Sequence, residues 1–343
     1  MGGSTLEVVG VTTDGTVHHT TRRADGSWAP FTDLTASHFL KPAVDVACVE
    51  RLSFPFMTGP LGLFVTACSE TESPRTVFRS WEDGAWVVTE LPVRTDPPFD
   101  PQVFPPGTRH PSAAISLSAA GPSYRYVRHV AATRADGRVS ASRVPDADMS
   151  GNATPQLLDF PVAVRATALY PASPDEITGE DRVALLLAGA DGVLHQTLGN
   201  ADHWRAPRVF DVAGPLPGDV VDVAVATNGP LRTAVVVVTG DGRLLVTALT
   251  DGGGWGRWVD AETLWGDVGT FAAASAALTY DGPSGHEQLQ IVGVTTDGRL
   301  LHMLIRSPFT TLASLPWAGT PFGDVEVSGV GQDIGYVTAA RCC

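Results

Sequence analysis

The stretch Gly10-Val11-Thr12-Thr13-Asp14-Gly15 reads GVTTDG, and it returns as Gly293-Val294-Thr295-Thr296-Asp297-Gly298. The flanks agree too: LEVVGVTTDGTVHH runs from Leu6 to His19, and LQIVGVTTDGRLLH from Leu289 to His302. A likeness of this length within one chain marks an internal repeat. Outward from it, an Asp-Gly pair follows an apolar run at Asp14, Asp136, Asp191, Asp241 and Asp297. The last four lie 55, 50 and 56 residues apart, and Asp136 lies 122 residues after Asp14, about two periods. The missing copy is FVTACSETESPRTVFRSW, where ETESP stands in place of the Asp-Gly turn.

Each unit reads as four short strands. In the fifth, VVDVAVA (Val220 to Ala226), TAVVVVTG, RLLVTAL and WGRWVDAETL are separated by TNGPL, Asp241-Gly242 and TDGGG. Runs rich in β-branched residues, broken by Asp-Gly and Gly-rich turns, are hairpin-connected strands. No convincing helical periodicity competes with them. Equivalent first strands begin at Ala43, Ser112, Val162 and Phe271. The fourth strand opens on Trp28, Trp86, Trp204, Trp255 or Trp317, and often closes on a Phe-x-Asp or similar, as at Asp33, Asp211 and Asp324.

Six such units predict an all-β, six-bladed β-propeller of four-stranded antiparallel blades, because one sheet alone cannot bury both faces. The expected blades are 6–34 with 334–343, then 43–93, 112–160, 162–212, 219–264 and 271–325, in a single domain. The first unit lacks a first strand. YVTAARC (Tyr336 to Cys342) supplies one, so the C-terminal strand is expected to complete the N-terminal blade and close the ring. Closure removes an open sheet edge.

Composition narrows the function. Hydrophobic residues are 43% and charged residues 17%, a globular balance. The formal net charge of -14, with no basic run, argues against nucleic acid and anionic lipid as partners. No apolar run approaches the roughly 20 residues of a spanning helix, which predicts no membrane insertion. The start, MGGSTLEVVG, has no leader-like segment, so the chain is expected to be cytoplasmic or exported by another route. Arginine supplies nearly all the positive charge, Lys41 being the single lysine, and the Ala, Gly, Val and Asp content has the look of a high-GC bacterial sequence. Four cysteines (Cys48, Cys68, Cys342 and Cys343) are too few for a disulfide framework, and no Cys/His spacing suggests zinc. No motif calls for a cofactor.

TDGTVHHTTRRADGSWAPFTDL (Thr13 to Leu34), ADGVLHQTL (Ala190 to Leu198), TDGRLLHML (Thr296 to Leu304) and GGWGRWVDAETL share the pattern D-G-x-L-x-H-T, G-x-W, F-x-D-L in degenerate form. The pattern resembles the tectonin and PLL-like lectin propellers, related to fucose-binding six-bladed lectins. The resemblance implies sugar binding in pockets between blades, on an aromatic platform with polar groups beside it. An Arg, Glu, Trp set recurring at one spacing is not found here.

The ligand-binding candidates follow. Trp28, Trp86, Trp204, Trp255 and Trp317 are repeat positions whose indoles either stack on a sugar face or pack between blades. Trp258, Trp81 and Trp265 are not required by the repeat. Asp45 and Asp222 occupy equivalent places in VDVA, and Arg165 is read at the same place in unit four, so that all three border the central channel, where they either hold a cation or polar ligand or simply pair. His19 and His302 follow their turn aspartates by five residues, His18 and His195 by four; strand alternation puts the two sets on opposite faces, which predicts hydrogen bonds within blades and no shared metal site. The proline-rich stretch Leu91 to Ser112, with Phe99, Phe104, Arg109 and His110, is a candidate lid over the channel mouth. Together these features favour a carbohydrate- or glycoconjugate-binding lectin with several sites and no catalytic residues. A glycoside-acting or biosynthetic enzyme using the channel, and a protein-interaction scaffold, are the alternatives. The oligomeric state is left open.

Overall fold

The computed structural model describes residues 5–23, 25–38, 42–51, 62–71, 75–80, 86–88, 104, 106–120, 123–145, 154–172, 183–199, 203–211, 213–228, 232–250, 253–266, 269–280, 286–312 and 334–342. The first strands along the chain are β1 (Thr5–Thr12), β2 (Val17–Arg22) and β3 (Thr32–Asp33), followed by a one-turn helix, α1 (Thr35–His38). Next come β4 (Asp45–Arg51), β5 (Gly62–Cys68), β6 (Arg75–Ser80) and β7 (Trp86–Val88). The third set is β8 (Arg109–Ala120), β9 (Ser123–Thr133), β10 (Val139–Pro145) and β11 (Thr154–Leu158). The fourth is β12 (Val164–Pro171), β13 (Val183–Gly189), β14 (Leu194–Gly199) and β15 (Arg208–Val209). The fifth is β16 (Val220–Thr227), β17 (Thr233–Thr239), β18 (Leu244–Ala248) and β19 (Val259–Asp260), with helix α2 (Ala261–Trp265) after it. The sixth is β20 (Phe271–Tyr280), β21 (Glu287–Thr295) and β22 (Leu300–Arg306), then helix α3 (Pro308–Thr311). Last comes β23 (Ile334–Cys342), which pairs antiparallel with β1 from Thr5↔Cys342 to Thr12↔Ile334.

The architecture is an all-β propeller. Each set is one antiparallel sheet in sequential order, with β23 added to the first. Five sheets have four strands, so five complete blades stand where six were expected. The sixth sheet has three strands among the described residues; the segment expected to supply its fourth, opening at Trp317, lies outside them. The first strands β4, β8, β12, β16, β20 and β23 neighbour one another in that order.

The core lies between sheets. One apolar cluster joins Val9, Val17 and Leu34 to Val46, Leu63 and Val65 of the next sheet. Others join the third to the fourth sheet, the fourth to the fifth, the fifth to the sixth, and the sixth to the first. β17 shows why its sequence is nearly all valine. Val236 and Val238 face the sixth sheet while Val235 and Val237 face the fourth, so both pleat faces are buried.

The repeated Asp-Gly turn is what docks one sheet on the next. Gly15, Gly137, Gly192 and Gly242 all have φ near +80, and their carbonyls accept the N–H groups of Ala43, Val164, Val220 and Phe271 at 2.8–2.9 Å. A Cβ on Gly242 would lie 2.7 Å from Thr270 Cβ, and one on Gly15 2.5 Å from Pro42 Cβ. Glycine is therefore required twice over, by conformation and by close approach. The aspartate closes the turn: Asp14 Oδ1 accepts from the Thr12 hydroxyl at 2.6 Å and from Thr16 N at 3.1 Å. These hydrogen bonds hold its carboxyl below the usual carboxylate range. The unit without the pair keeps the dock, since Ser69 O accepts from Gly107 N at 2.8 Å.

One fourth strand differs from expectation. In WGRWVDAETL only Val259 and Asp260 are extended; Ala261–Trp265 form α2. Asp260 is its N-cap, accepting Glu262 N at 2.9 Å, and the cap is reason enough for the turn of helix. Asp33 accepts Thr35 N at 2.8 Å in the same way ahead of α1. The Phe-x-Asp at the end of the first unit is thus a helix-start signal.

Candidate functional site

The strand pairings make the residue five after each turn aspartate equivalent: His19, Ala141, Gln196, Val246 and His302. Three of the five are polar and satisfied within their own blade, as expected for the two histidines. His19 Nε2 lies 2.6 Å from Glu7 Oε2, which also accepts from the Thr21 hydroxyl at 2.8 Å. His302 Nε2 lies 2.6 Å from Gln290 Oε1. Gln196 donates to Tyr170 Oη at 2.5 Å and accepts from Arg208 at 2.8 Å. At Ala141 and Val246 the same place is apolar. His195, on the opposite face, turns to its own Asp191 at 3.0 Å.

Tryptophans of the following blade meet these groups at the seams. Trp28 presents an edge-on contact to the His302 ring, 5.4 Å between centroids, and packs against the cluster that joins the sixth sheet to the first. Trp255 lies edge-on to Phe210 (5.2 Å) and Tyr170 (6.1 Å). Trp204 packs on the seam of the third and fourth sheets; a Cβ on Gly199 would meet its ring at 2.6 Å. Isolated bridges Arg22↔Trp28, Gly199↔Trp204 and Leu249↔Trp255 confirm that the three hold one repeat position. Trp258 joins Phe210 at 6.2 Å. All four are half-buried. Trp86 opens β7, but its side chain is outside the described residues, as are Trp81 and Trp317. Trp265 packs under α2 against the seam of the fifth and sixth sheets.

Among the described residues, three donors at these seams have no protein acceptor although their atoms are buried: Trp28 Nε1, Arg22 Nε and Trp258 Nε1. Unsatisfied buried donors cost about 1–3 kcal/mol each, and such groups call for a reason. Two of the three share the seam of His302. Burial there, with the Arg22 charge, drives the His302 pKa down to about 3, so its ring stays neutral. Burial also pushes the Arg22 guanidinium down from its ordinary value.

The first strands carry the second group of candidates. Asp45 and Asp222 are equivalent and both are buried. Each accepts the N–H of its own next residue, Val46 at 2.6 Å and Val223 at 2.9 Å. Each also accepts a backbone N–H from the following sheet, His110 at 2.5 Å and Ala274 at 2.9 Å. The two carboxylates thus staple neighbouring first strands. Arg165 does not share their position. The same bulge interrupts β12 at Val164/Ala166 and β16 at Val220/Asp222, and in that common register Ala166 matches Asp222 while Arg165 matches Val221. Its exposed guanidinium instead donates to Ala190 O at 3.1 Å. Spacing alone misplaced Arg165 by one residue. It also missed His110, whose Nδ1 stands 3.9 Å from Asp45 Oδ2 and 3.7 Å from Asp222 Oδ1.

Of the stretch read as a lid, Phe104 is buried, Arg109 is paired with Glu70, and Phe99 lies outside the described residues. Among the described residues no group of three His, Cys, Asp or Glu side chains is placed to hold a metal, and no helix is long and apolar enough to cross a membrane.

No protein-family model and no curated protein matches the chain. Its shape does have counterparts. The fucose-specific lectin from Aleuria aurantia superposes with a TM-score of 0.59 at 12% identity, over 96% of this chain and 91% of that one; its fold is described as a six-bladed β-propeller. AofleA from Arthrobotrys oligospora gives 0.55 at 11% identity, over 97% and 88%. BP39L lectin from Burkholderia pseudomallei gives 0.54 at 16% identity, over 95% and 81%. The fold is that of the lectin propellers. At such identities the likeness concerns the backbone, and the seams must be argued from their own residues.

Proposed function

We propose that this chain is a carbohydrate-binding propeller whose sites lie in the seams between blades. The observation that carries the reading is the seam of the sixth and first sheets. There a half-buried indole, a guanidinium and a neutral His-Gln pair stand together, and two of the donors lack acceptors among the described residues. An aromatic face beside fixed polar donors is what a sugar ring needs, since it is apolar on its C–H face and hydroxylated at its rim. Trp255 and Trp258 offer a second such seam. Trp86, Trp204 and Trp317 are the corresponding positions elsewhere. The solved neighbours include Aleuria aurantia lectin complexes with fucosides, which makes α-linked fucosides the first ligands to try.

The full architecture in this reading is one domain of six blades with the limits given above, the last strand closing the ring through the first blade. Several seams on one ring raise affinity by multivalency. The partner is a carbohydrate or glycoconjugate, without cofactor or metal, and neither nucleic acid nor a membrane is involved. Asp45, Arg165 and Asp222 then serve the frame.

A glycan array probed with the native protein, Trp28→Ala and Trp255→Ala tests this. The native protein should bind a defined set of glycans, and each variant should lose at least about tenfold in apparent affinity, the scale of one lost stacking contact. Absence of binding by the native protein at high glycan density would end the lectin reading.

A further inference from the structure

His110 of the third sheet contacts the second, fourth and fifth sheets through its backbone and its ring. It begins the third sheet's first strand in a left-handed conformation (φ 47), inside the irregularity between Arg109 and Ser112. Its N–H reaches Asp45 of the second sheet at 2.5 Å. Its carbonyl accepts the Thr167 hydroxyl of the fourth sheet at 2.9 Å. Its imidazole lies 3.7 Å from Asp222 of the fifth sheet, whose other oxygen holds Ala274 N of the sixth at 2.9 Å. One half-buried ring thus links two buried carboxylates that stand three sheets apart.

We propose that Asp45, His110 and Asp222 form a proton-operated latch between the second, third and fifth sheets, tight when the trio takes up a proton from solvent and slack when it releases it. A protonated imidazole is attracted by both carboxylates; a neutral one leaves two buried anions with no cation between them. Among the described residues no other charge takes its place. Arg109, on the same strand, is spent on Glu70, and Arg165 of β12 donates to Ala190 O. Behind Asp45 stands Cys68 of β5, a thiol pushed well up by burial and by the Asp45 charge. β20 presents Ala273 and Ala274 at this level, and the β23 side chains other than Val337 lie outside the described residues.

Burial of Asp45 acts in the same direction. Burial raises the Asp45 pKa to about 6, against the attraction of His110. A carboxyl raised above its unfolded value contributes stability that is fully present below pH 3.8 and is lost as pH rises through about 6. Proton release from Asp45 therefore costs the folded state stability, because two buried carboxylates then stand unneutralised, even though the ionised carboxyl is the better acceptor for the Val46 and His110 N–H groups. This inference stands whether or not the seams bind sugar.

Amide hydrogen exchange on the full chain, corrected for intrinsic rates, reads the latch at the amides it holds. In the native protein the peptides containing His110 and Ala274 should lose protection severalfold between pH 5.5 and pH 7.5, while the Val236 region stays constant. His110→Asn keeps a residue that tolerates the left-handed backbone but carries no charge. It should abolish the pH dependence at both peptides. Should it not fold, Asp222→Asn, which keeps an acceptor for Ala274 N, should reduce the pH dependence in the same way. Native-like pH dependence in the variant that folds, or none in the native protein, would overturn the latch.

Discussion

Replacing Gly242 by alanine separates the two reasons for glycine in the docking turn. The residue has φ +84, and an added Cβ would stand 2.7 Å from Thr270 Cβ and 3.2 Å from its Cα. The left-handed conformation costs a residue with a Cβ about 1–2 kcal/mol. Forcing a methyl against a packed neighbour costs about 1–3 kcal/mol more. Gly242→Ala should therefore destabilise by about 2–5 kcal/mol. Gly214→Ala is the control, because φ is +86 there and nothing lies within 4 Å of the added atom; it should lose only about 1–2 kcal/mol. Urea unfolding followed by tryptophan fluorescence gives both midpoints. Retention of the m-value would show that the same amount of surface is exposed in each case. Equal losses in the two variants would refute the claim that the turn is fitted against the next sheet.

Glu7 and Gln290 are equivalent residues holding His19 and His302 at the same 2.6 Å distance. Glu7→Gln should accordingly fold with a melting temperature close to the native value, whereas Glu7→Leu, which leaves buried polar groups unpaired, should lose about 1–3 kcal/mol in chemical unfolding. His302, with its pKa held down to about 3 by burial and Arg22, should show no imidazole titration by NMR from pH 8 to pH 4.5. Its depressed pKa gives stability that is present above the unfolded value of 6.5 and is lost as pH falls through about 3. The acid limb of the stability profile should therefore flatten in His302→Gln.

The frame was readable from the sequence because its determinants are local. An Asp-Gly turn declares itself within four residues, and a Val-rich run such as Thr233–Thr239 shows that both faces are buried. The pairing of β23 with β1 could be inferred because the first unit lacked a strand that Tyr336 to Cys342 matched. What failed was local register and the ends of strands. Runs as alike as VAVRATAL and VVDVAVA match in more than one register, so likeness alone put Arg165 in the aspartate row, and a single capping aspartate turned half of a fourth strand into α2. The seams were half visible. The repeat spacing located Trp28 and Trp255, but the His302 and Tyr170 rings they meet come from the preceding blade, 274 and 85 residues away in the chain. No window along the sequence contains both. His110 was noticed as part of a loop, and only its left-handed backbone and the arrangement of three other sheets put it between two carboxylates.

The pairing of β1 with β23 sets a schedule for synthesis. Thr12 must wait for Ile334, 322 residues further along the chain. At about 5–20 residues per second, the free edge of β1 stays uncovered for roughly 15–65 s while the intervening sheets emerge. During that interval the N-terminal hairpin is an unprotected template for other nascent chains. Yield in a producing cell should consequently depend on translation speed and chaperone supply more than the stability of the finished molecule would indicate.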